Sequence, residues 1–436
     1  MLLLHISDIH FNHPICSTVM DPDRPYRTHL IRDAKAQCAD LGPPDALMVG
    51  GDIAYHGAPE EYEAAVEWIM QLGQACGCPA EKIYVIPGNH DVDRTIAAAN
   101  RSARNAQAAI RTADERQREG ELFGQFRDDH TGKALLAPIA AYNAFAASFN
   151  CQIYPPEKMF WHHDLPLDGL TVLRIHGLTS TLLSGFEGND DLPRSLYLSP
   201  LQTVLDPADG VVNVAICHHP PDWLMDNDKV DEAFCNRATI HLFGHKHRQR
   251  IHRDKNYIRF SAGAVNPDRS EAGWEPGYNF IKLSIVEVGA RRLLDVEAHL
   301  RVWQSNPDMF VAKRELGGET VFRHSLPVSG PIVRTPAANI SPRLAIQTPE
   351  SSTATPNCGG GDLEATMSNE SMRNLVFRFW KLASSERREI AFDLGLIDNS
   401  DMRLPEPERY GRALISASER GLLEKLAEEI GRREKH

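Results

Sequence analysis

Short apolar runs alternate with longer amphipathic ones along the first part of the chain. Leu2–Ile6, Ala46–Val49 and 82–86 are too brief for helices and end in polar or glycine-rich turns, which predicts buried strands. Between them, 27–41 sets Leu30, Ile31, Ala34 and Cys38 at helical spacing, and 60–76 does the same with Tyr62, Val66, Ile69, Met70 and Leu72. Strand, helix, strand, helix, strand predicts βαβ units and a largely parallel sheet. Across 95–150 the strand signal gives way to Ala, Arg, Glu and Gln. An inserted pair or trio of helices is expected there, serving as a cap or as a lid over the substrate. The strand pattern resumes at 170–175, 211–217 and 238–243. Beyond it, 258–262, 278–288 and 293–303 predict antiparallel strands that close the sheet and flank it with a second one.

The pattern then changes material. Residues 329–369 hold Pro331, Pro336, Pro342, Pro349 and Pro356, a Ser/Thr run at 351–355 and Gly359-Gly360-Gly361. Such a stretch buries too little apolar surface to order itself and is expected to be a flexible linker. Past it, Met372, Leu375, Val376, Phe379 and Leu382 form one helical stripe. Ile390, Ala391 and Leu394 form a second, Tyr410, Leu414 and Ile415 a third, and Leu422, Leu423, Leu426 and Ile430 a fourth. The expected organisation is a catalytic domain over 1–328, the linker, and a small all-α domain over 370–436 that carries no chemistry of its own.

Bulk composition narrows the partners. A chain of 436 residues that is 42% hydrophobic fits two or three domains with a core that needs no disulfide staples. A net charge of −12 excludes indiscriminate coating of nucleic acid, though not a local basic groove. The eight cysteines are scattered with no CxxC pair, which points to a reducing, cytoplasmic setting rather than a zinc ribbon. Met1-Leu2-Leu3-Leu4 is too short for a leader and reads as the first core strand. No apolar run reaches the roughly 18 residues a membrane span needs.

Candidate chemistry sits at the strand ends. Asp8-x-His10, Gly51-Asp52, Gly88-Asn89-His90-Asp91, His218-His219 and Gly244-His245-x-His247 each follow an apolar strand. Each alone is an ordinary loop feature. Together they predict one site at a sheet edge, where open α/β folds place ligands. Hydrolysis of a phosphate ester needs a nucleophile at neutral pH and neutralisation of phosphoryl charge. Two cations about 3.5–4 Å apart supply both, because a hydroxide bridging them forms readily and the ions clamp the transferring group. The inventory of Asp8, His10, Asp52, Asn89, His90, His218, His245 and His247 offers a shared carboxylate with imidazole and oxygen donors. Without thiolate, that set suits Mn, Fe, Zn or Ni better than Ca.

The five motifs, in this order and covering roughly 1–320, resemble the calcineurin-like metallophosphoesterase family. The resemblance implies an α/β fold, a calcineurin-like metallophosphoesterase β-sandwich flanked by helices, and two divalent ions, Mn foremost, with Fe, Zn, Ni or Mg as alternatives. It further implies that Asp8, His10 and His247 hold one ion, Asn89, His218 and His245 the other, and that Asp52 bridges. His218 is preferred over His219 because the family's ligand stands two residues before the first proline. His90 is implied as a phosphate-contacting acid, oriented by Asp91. The Ser/Thr phosphatase branch carries Glu after its Asn-His pair, so Asp91 resembles the phosphodiesterase branches instead, and a nucleotide or nucleic-acid phosphodiester is the expected substrate. His219 and Arg248 are candidate substrate contacts, with Arg250, Arg253 and Lys255 as a basic stretch beside the last motif. Phe379-Trp380-Lys381-Leu382, Glu389-Ile390-Ala391, Gly395-Leu396 and Glu408-Arg409-Tyr410 resemble death-fold-type adaptor domains of bacterial effector proteins, which implies a protein partner or self-association through 370–436 and no membrane. The rival reading is an adaptor or signalling protein working through that bundle, with a structural or vestigial metal centre.

Overall fold

The computed structural model describes residues 1–155, 158–267, 275–289, 291–315 and 317–328, and toward the C-terminus 375, 378–379, 382, 384–398, 401 and 406–433. The chain divides into two compact units, 1–339 and 340–436.

The first unit is built on two sheets. In one, β1 (Leu2–Ile6), β2 (Ala46–Val49) and β3 (Ile83–Val85) run parallel, with Leu3 beside Ala46 and Val49 beside Val85. In the other, β4 (Trp161–Pro166) pairs antiparallel with β5 (Val172–Gly177), which runs parallel to β6 (Val211–Cys217) and through it to β7 (Ile240–Phe243). Strand β8 (Arg250–Arg253) follows, then β9 (Ile258–Ser261), which lies between β7 and β8. Long strands β10 (Gly277–Val288) and β11 (Arg291–Ser305) extend the first sheet antiparallel beyond β1, joined by β12 (Asp308–Ala312) and β13 (Phe322–Pro327).

Alternation within the strands assembles the layers. Val212, Val214 and Ile216 of β6 point into the core shared with Leu4, Leu47 and Val85 of the first sheet. Ala215 and Cys217 point the other way, into a second core with Ile110, Leu122 and Phe126. Side chains of a strand alternate faces, so one sheet serves both cores. Helices α1 (Arg24–Leu41) and α2 (Pro59–Cys76) cover the first sheet through Leu30, Ala34, Ile69 and Leu72.

Three expectations needed correction. The insertion is five helices, α3 (Arg94–Ala99), α4 (Arg101–Thr112), α5 (Glu115–Arg127), α6 (Asp129–Leu136) and α7 (Ala140–Ala147), because capping Asp and Asn residues break the polar stretch more often than composition suggests. Of these, α4, α5 and α6 supply the second core, through Ile110, Leu122 and Leu135 among others. Strand β9 runs parallel to β7, with Ile258 beside Ile240, since a period of two carries no information about direction. Strand β4 was not anticipated, because its sequence Trp-His-His-Asp-Leu-Pro buries only Trp161 and Leu165.

Helix α8 (Asn227–Arg237) belongs to the first unit, and among the described residues the second unit holds α9 (Ser384–Asp393), α10 (Glu406–Glu419) and α11 (Leu423–Arg433). They bury Ile390, Tyr410, Ala413, Leu426 and Ile430 with Leu375, Phe379 and Leu382. The linker expected at 329–369, together with Met372 and Val376, lies outside the described residues. Among the described residues no helix is long and apolar enough to cross a membrane.

Candidate metal centre

All five polar motifs leave the C-terminal ends of parallel strands, three from the first sheet and two from the second. Asp8 and His10 follow β1, Asp52 follows β2, Asn89 and His90 follow β3, His218 follows β6, and His245 and His247 follow β7. Backbone hydrogen bonds stitch the loops together: the Asp8 N–H donates to the Gly51 carbonyl at 3.0 Å, and the Asn266 N–H to the Asp8 carbonyl at 3.0 Å. Asp8, His10, Asp52, His245 and His247 all sit in the left-handed region, with φ between 51° and 68°. Each such L-residue costs on the order of 1 kcal/mol, so these loops hold strain where the donors are presented. The glycines of the motifs are demanded by contact. A Cβ on Gly88 would strike the Asp52 carboxyl, and one on Gly51 would come within 2.7 Å of His218 Nδ1.

The rings are held by their far nitrogens. His218 Nδ1 donates to the Gly50 carbonyl at 2.8 Å and His10 Nδ1 to the Asn266 carbonyl at 3.1 Å. A carbonyl only accepts, so Nδ1 carries a proton in both rings and, in the neutral imidazole, Nε2 is left with its lone pair. Those lone pairs face carboxylates: His218 Nε2 lies 3.2 Å from Asp52 Oδ2 and 4.0 Å from Asp8 Oδ1, and His10 Nε2 lies 3.4 Å from Asp52 Oδ2. His247 Nε2 approaches Asp8 Oδ1 at 3.2 Å, and His245 Nδ1 approaches the Asn89 amide oxygen at 3.0 Å. His218 Nε2 is buried without a hydrogen-bond partner. Ring nitrogens and carboxylate oxygens crowd this closely only with a proton or a cation between them, and a set of four such groups fits divalent ions. The donor atoms group as Asp8 with His10 and His247, Asp8 with Asp52 and His218, His10 with Asp52 and His90, and His218 with His219 and His245.

Electrostatics agree. Burial opposes charge on Asp8, yet His247 and His218 hold it down at about 2. Asp52 is likewise well below the carboxylate range despite burial, because of His218, His90 and His10. Burial also works against charging His218, but Asp52 and Asp8 outweigh it and lift the imidazole to about 9. His245, buried beside that imidazolium, drops to about 3. In the metal-free protein a proton on His218 therefore stands where a cation belongs. Its contribution to stability is complete below about pH 6.5 and is lost as pH rises through about 9. A metal ion held by His218 at pH 7 would have to displace that proton. Apparent affinity is expected to rise about tenfold per pH unit between 7 and 9 and then level, with one proton released per protein by calorimetry in buffers of different ionisation heat.

Two of the expected site residues do different work. Asp91 does not reach His90. It is fully buried and accepts from the N–H groups of Gly88 (2.8 Å), Ala54 (3.0 Å) and Ile53 (3.2 Å) and from the Tyr62 hydroxyl (2.9 Å). Burial pushes its carboxyl up to about 6 against the pull of those donors. His90 is oriented instead by its Nδ1–H donating to the Tyr55 carbonyl at 2.9 Å. His219, expected against substrate, is fully buried. Its Nε2–H donates to the Asn89 oxygen at 3.1 Å and its Nδ1 accepts from Ser180 at 2.8 Å, so it orients Asn89. Arg248 is exposed, Arg250 opens the exposed strand β8, and Arg253 there is paired with Glu315.

Glu61 was missed. From the first turn of α2 its carboxylate accepts from the N–H groups of His13 (3.1 Å), Tyr55 (3.2 Å), His56 (2.9 Å) and Ala58 (3.1 Å), pinning the loops after β1 and β2. The signal was present in Ala58-Pro59-Glu60-Glu61, where an acid three residues past the cap reaches back to loop N–H groups.

A glycerophosphodiester phosphodiesterase, GpdQ, from Enterobacter lignolyticus (strain SCF1) is 35% identical over 102 residues, 21% of this chain and 30% of that protein. The match thus spans under a third of the relative's length. Among solved structures, GAP50 of Plasmodium, described as the anchor in the inner membrane complex, is 9% identical over 76% of this chain and 89% of that one, with a TM-score of 0.40. A putative 5′-nucleotidase from Staphylococcus aureus is 12% identical over 78% of this chain and 56% of that one, with a TM-score of 0.34. Zinc-bound Vps29 from Entamoeba histolytica is 8% identical over 75% and 99%, with a TM-score of 0.29. Residues 371–432 match the family model of GAAD, the GTPase-associated adaptor domain. Residues 1–249, more than half of the chain, match the calcineurin-like phosphoesterase model, and the chain belongs to that family of metal-dependent phosphoesterases.

Proposed function

We propose that the protein is a two-metal phosphodiesterase acting on a nucleotide or nucleic-acid phosphodiester, with a C-terminal adaptor that brings it to a protein partner. The observation that carries the reading is the facing of bare imidazole nitrogens and carboxylate oxygens at 3.2–3.4 Å between His218, His10 and Asp52. Asp8, His10, Asp52 and His247 would hold one ion and Asp52, Asn89, His218 and His245 the other, with Mn the foremost candidate. Bound there, the ions would activate water and neutralise phosphoryl charge.

The chain's own groups do the rest. His90 has its Nδ1 proton committed to Tyr55, so Nε2 is the ring atom that can pass a proton to the leaving ester oxygen. Burial holds this imidazole below its ordinary range, so a proton placed there by a bound phosphate is readily surrendered. The relative named for glycerophosphodiesters supports a diester rather than a monoester.

The test is turnover of cyclic nucleotides, a glycerophosphodiester, single-stranded DNA and RNA by the purified chain with Mn. Chelation is expected to abolish activity. His90→Ala is expected to retain its metal and lose about a hundredfold or more in kcat. A chain ending before residue 329 is expected to keep turnover and lose partner capture. Wild-type rates in His90→Ala would sink the assignment of its role.

A further inference from the structure

The hydrolytic scheme leaves two aromatic side chains at the metal centre unused. At the His10 end, Tyr55 lies tilted against His90 with ring centroids 5.0 Å apart and edge-on to His10 at 5.9 Å, and it is 36% exposed. At the opposite end Trp223 meets His245 edge to face with centroids 4.0 Å apart, and tilts over His219 at 6.1 Å. Trp223 is half-buried, so part of the indole stays open beside a metal-ligand candidate.

That indole is firmly placed. Its backbone ends the turn Pro221–Trp223, where the Trp223 main-chain N–H donates to the Pro220 carbonyl at 3.0 Å and the main-chain carbonyl accepts from the Leu196 N–H at 3.2 Å. The neighbouring Asp222 pairs with Lys246 at 2.5 Å, which fastens this turn to the loop that carries His245 and His247. A half-buried indole set edge to face against His245, beside the donors that would hold the metal, suits a flat heterocycle. Stacking of a base on an aromatic side chain tolerates every base, because each has a π-face.

Charge then limits the size of the ligand. The segment around Trp223 carries Asp222, Asp226 and Asp228. Nearby cations are already engaged, Lys246 by Asp222, Arg118 by Asp226 and Lys229 by Glu115. Asp222 and Asp226 are neutralised in those pairs, so these residues offer the next phosphates of a polynucleotide no unengaged cation. A lone nucleoside needs none.

We propose that Trp223 is the base-stacking wall of a site for a small nucleoside phosphodiester, with the base on the indole and the phosphate over the metal centre. The proposal rests on the phosphodiesterase reading above and adds the specificity element. Tyr55 bounds the other ester arm.

The experiment compares kcat/KM for a cyclic nucleotide with that for a glycerophosphodiester in the full-length, Mn-loaded wild type, Trp223→Phe and Trp223→Leu, with metal content measured in each. Leucine keeps an apolar side chain beside His245 without a π surface. The nucleotide-to-glycerol ratio is expected to fall about tenfold in Trp223→Leu, chiefly through KM, and to be largely kept in Trp223→Phe. A single-stranded oligonucleotide is expected to be a poorer wild-type substrate than the cyclic nucleotide. An unchanged ratio in Trp223→Leu overturns the stacking role while leaving a working phosphodiesterase. Preference for the oligonucleotide overturns the size limit. A wild type inert toward every diester removes the reading beneath both, and equal loss of metal and rate in Phe and Leu would show that Trp223 supports only His245.

Discussion

Asp52→Asn is expected to leave a folded protein that no longer retains two metal ions and turns over phosphodiesters at least about a thousandfold more slowly. Asp52 belongs both to the His10–His90 group and to the Asp8–His218 group of donors, and one oxygen of its carboxylate lies within 3.4 Å of His10 and of His218. Its Oδ2 faces His218 and His10, while Oδ1 accepts the His90 N–H at 2.7 Å. Asparagine can keep the His90 bond with its oxygen and therefore the loop. It removes the negative charge and offers the imidazoles either an amide NH2 or a neutral oxygen. Loss of charge stabilisation worth several kcal/mol corresponds to about three orders of magnitude in rate. Elemental analysis of dialysed protein beside turnover of an aryl phosphodiester measures both parts. Two ions per chain with near wild-type rate would refute the bridging role. His90→Ala makes the contrast, because there the rate should fall with the metal still in place.

The site was legible because each motif ends a strand that the apolar pattern had already marked. Ala46–Val49 and Val211–Cys217 are continuous buried runs, and parallel strands covered on both faces read that way. Parallel strands also bring their C-terminal ends to one edge, so Asp52 and His218 could be placed together without coordinates. What was hidden depends on backbone conformation and on hydrogen bonds. Nothing in the letters Asp8, His10, Asp52, His245 and His247 announces five left-handed residues. The direction of β9 was hidden because Ile258 and Phe260 would point inward whichever way the strand ran. Asp91 was misassigned for a related reason. An acid directly after the histidine of an Asn-His pair invites the role of orienter, whereas the local turn aims it at Gly88 and Ile53. The Tyr55 carbonyl that does orient His90 is a main-chain group and leaves no mark on side-chain pattern.

Asp91→Asn separates those two roles for the acid. Oδ1 accepts from Ala54, Ile53 and Tyr62, and Oδ2 from Gly88 and Ile53. Either orientation of an amide therefore turns its NH2 onto a backbone N–H that has lost its acceptor. Stranding buried donors in this way costs about 2–4 kcal/mol, and the melting temperature is expected to drop by roughly 5 °C or more. The same bonds set the spacing between the loop after β2 and the turn that presents Asn89, so metal affinity is expected to weaken by about 10- to 100-fold. Saturating metal should then restore kcat to within about tenfold of wild type, because His90 keeps its own anchor on Tyr55. If Asp91 instead served His90 directly, kcat would stay as low as in His90→Ala at any metal concentration, and the melting temperature would barely move. Calorimetry and a metal titration of the rate, run on one preparation, distinguish the two.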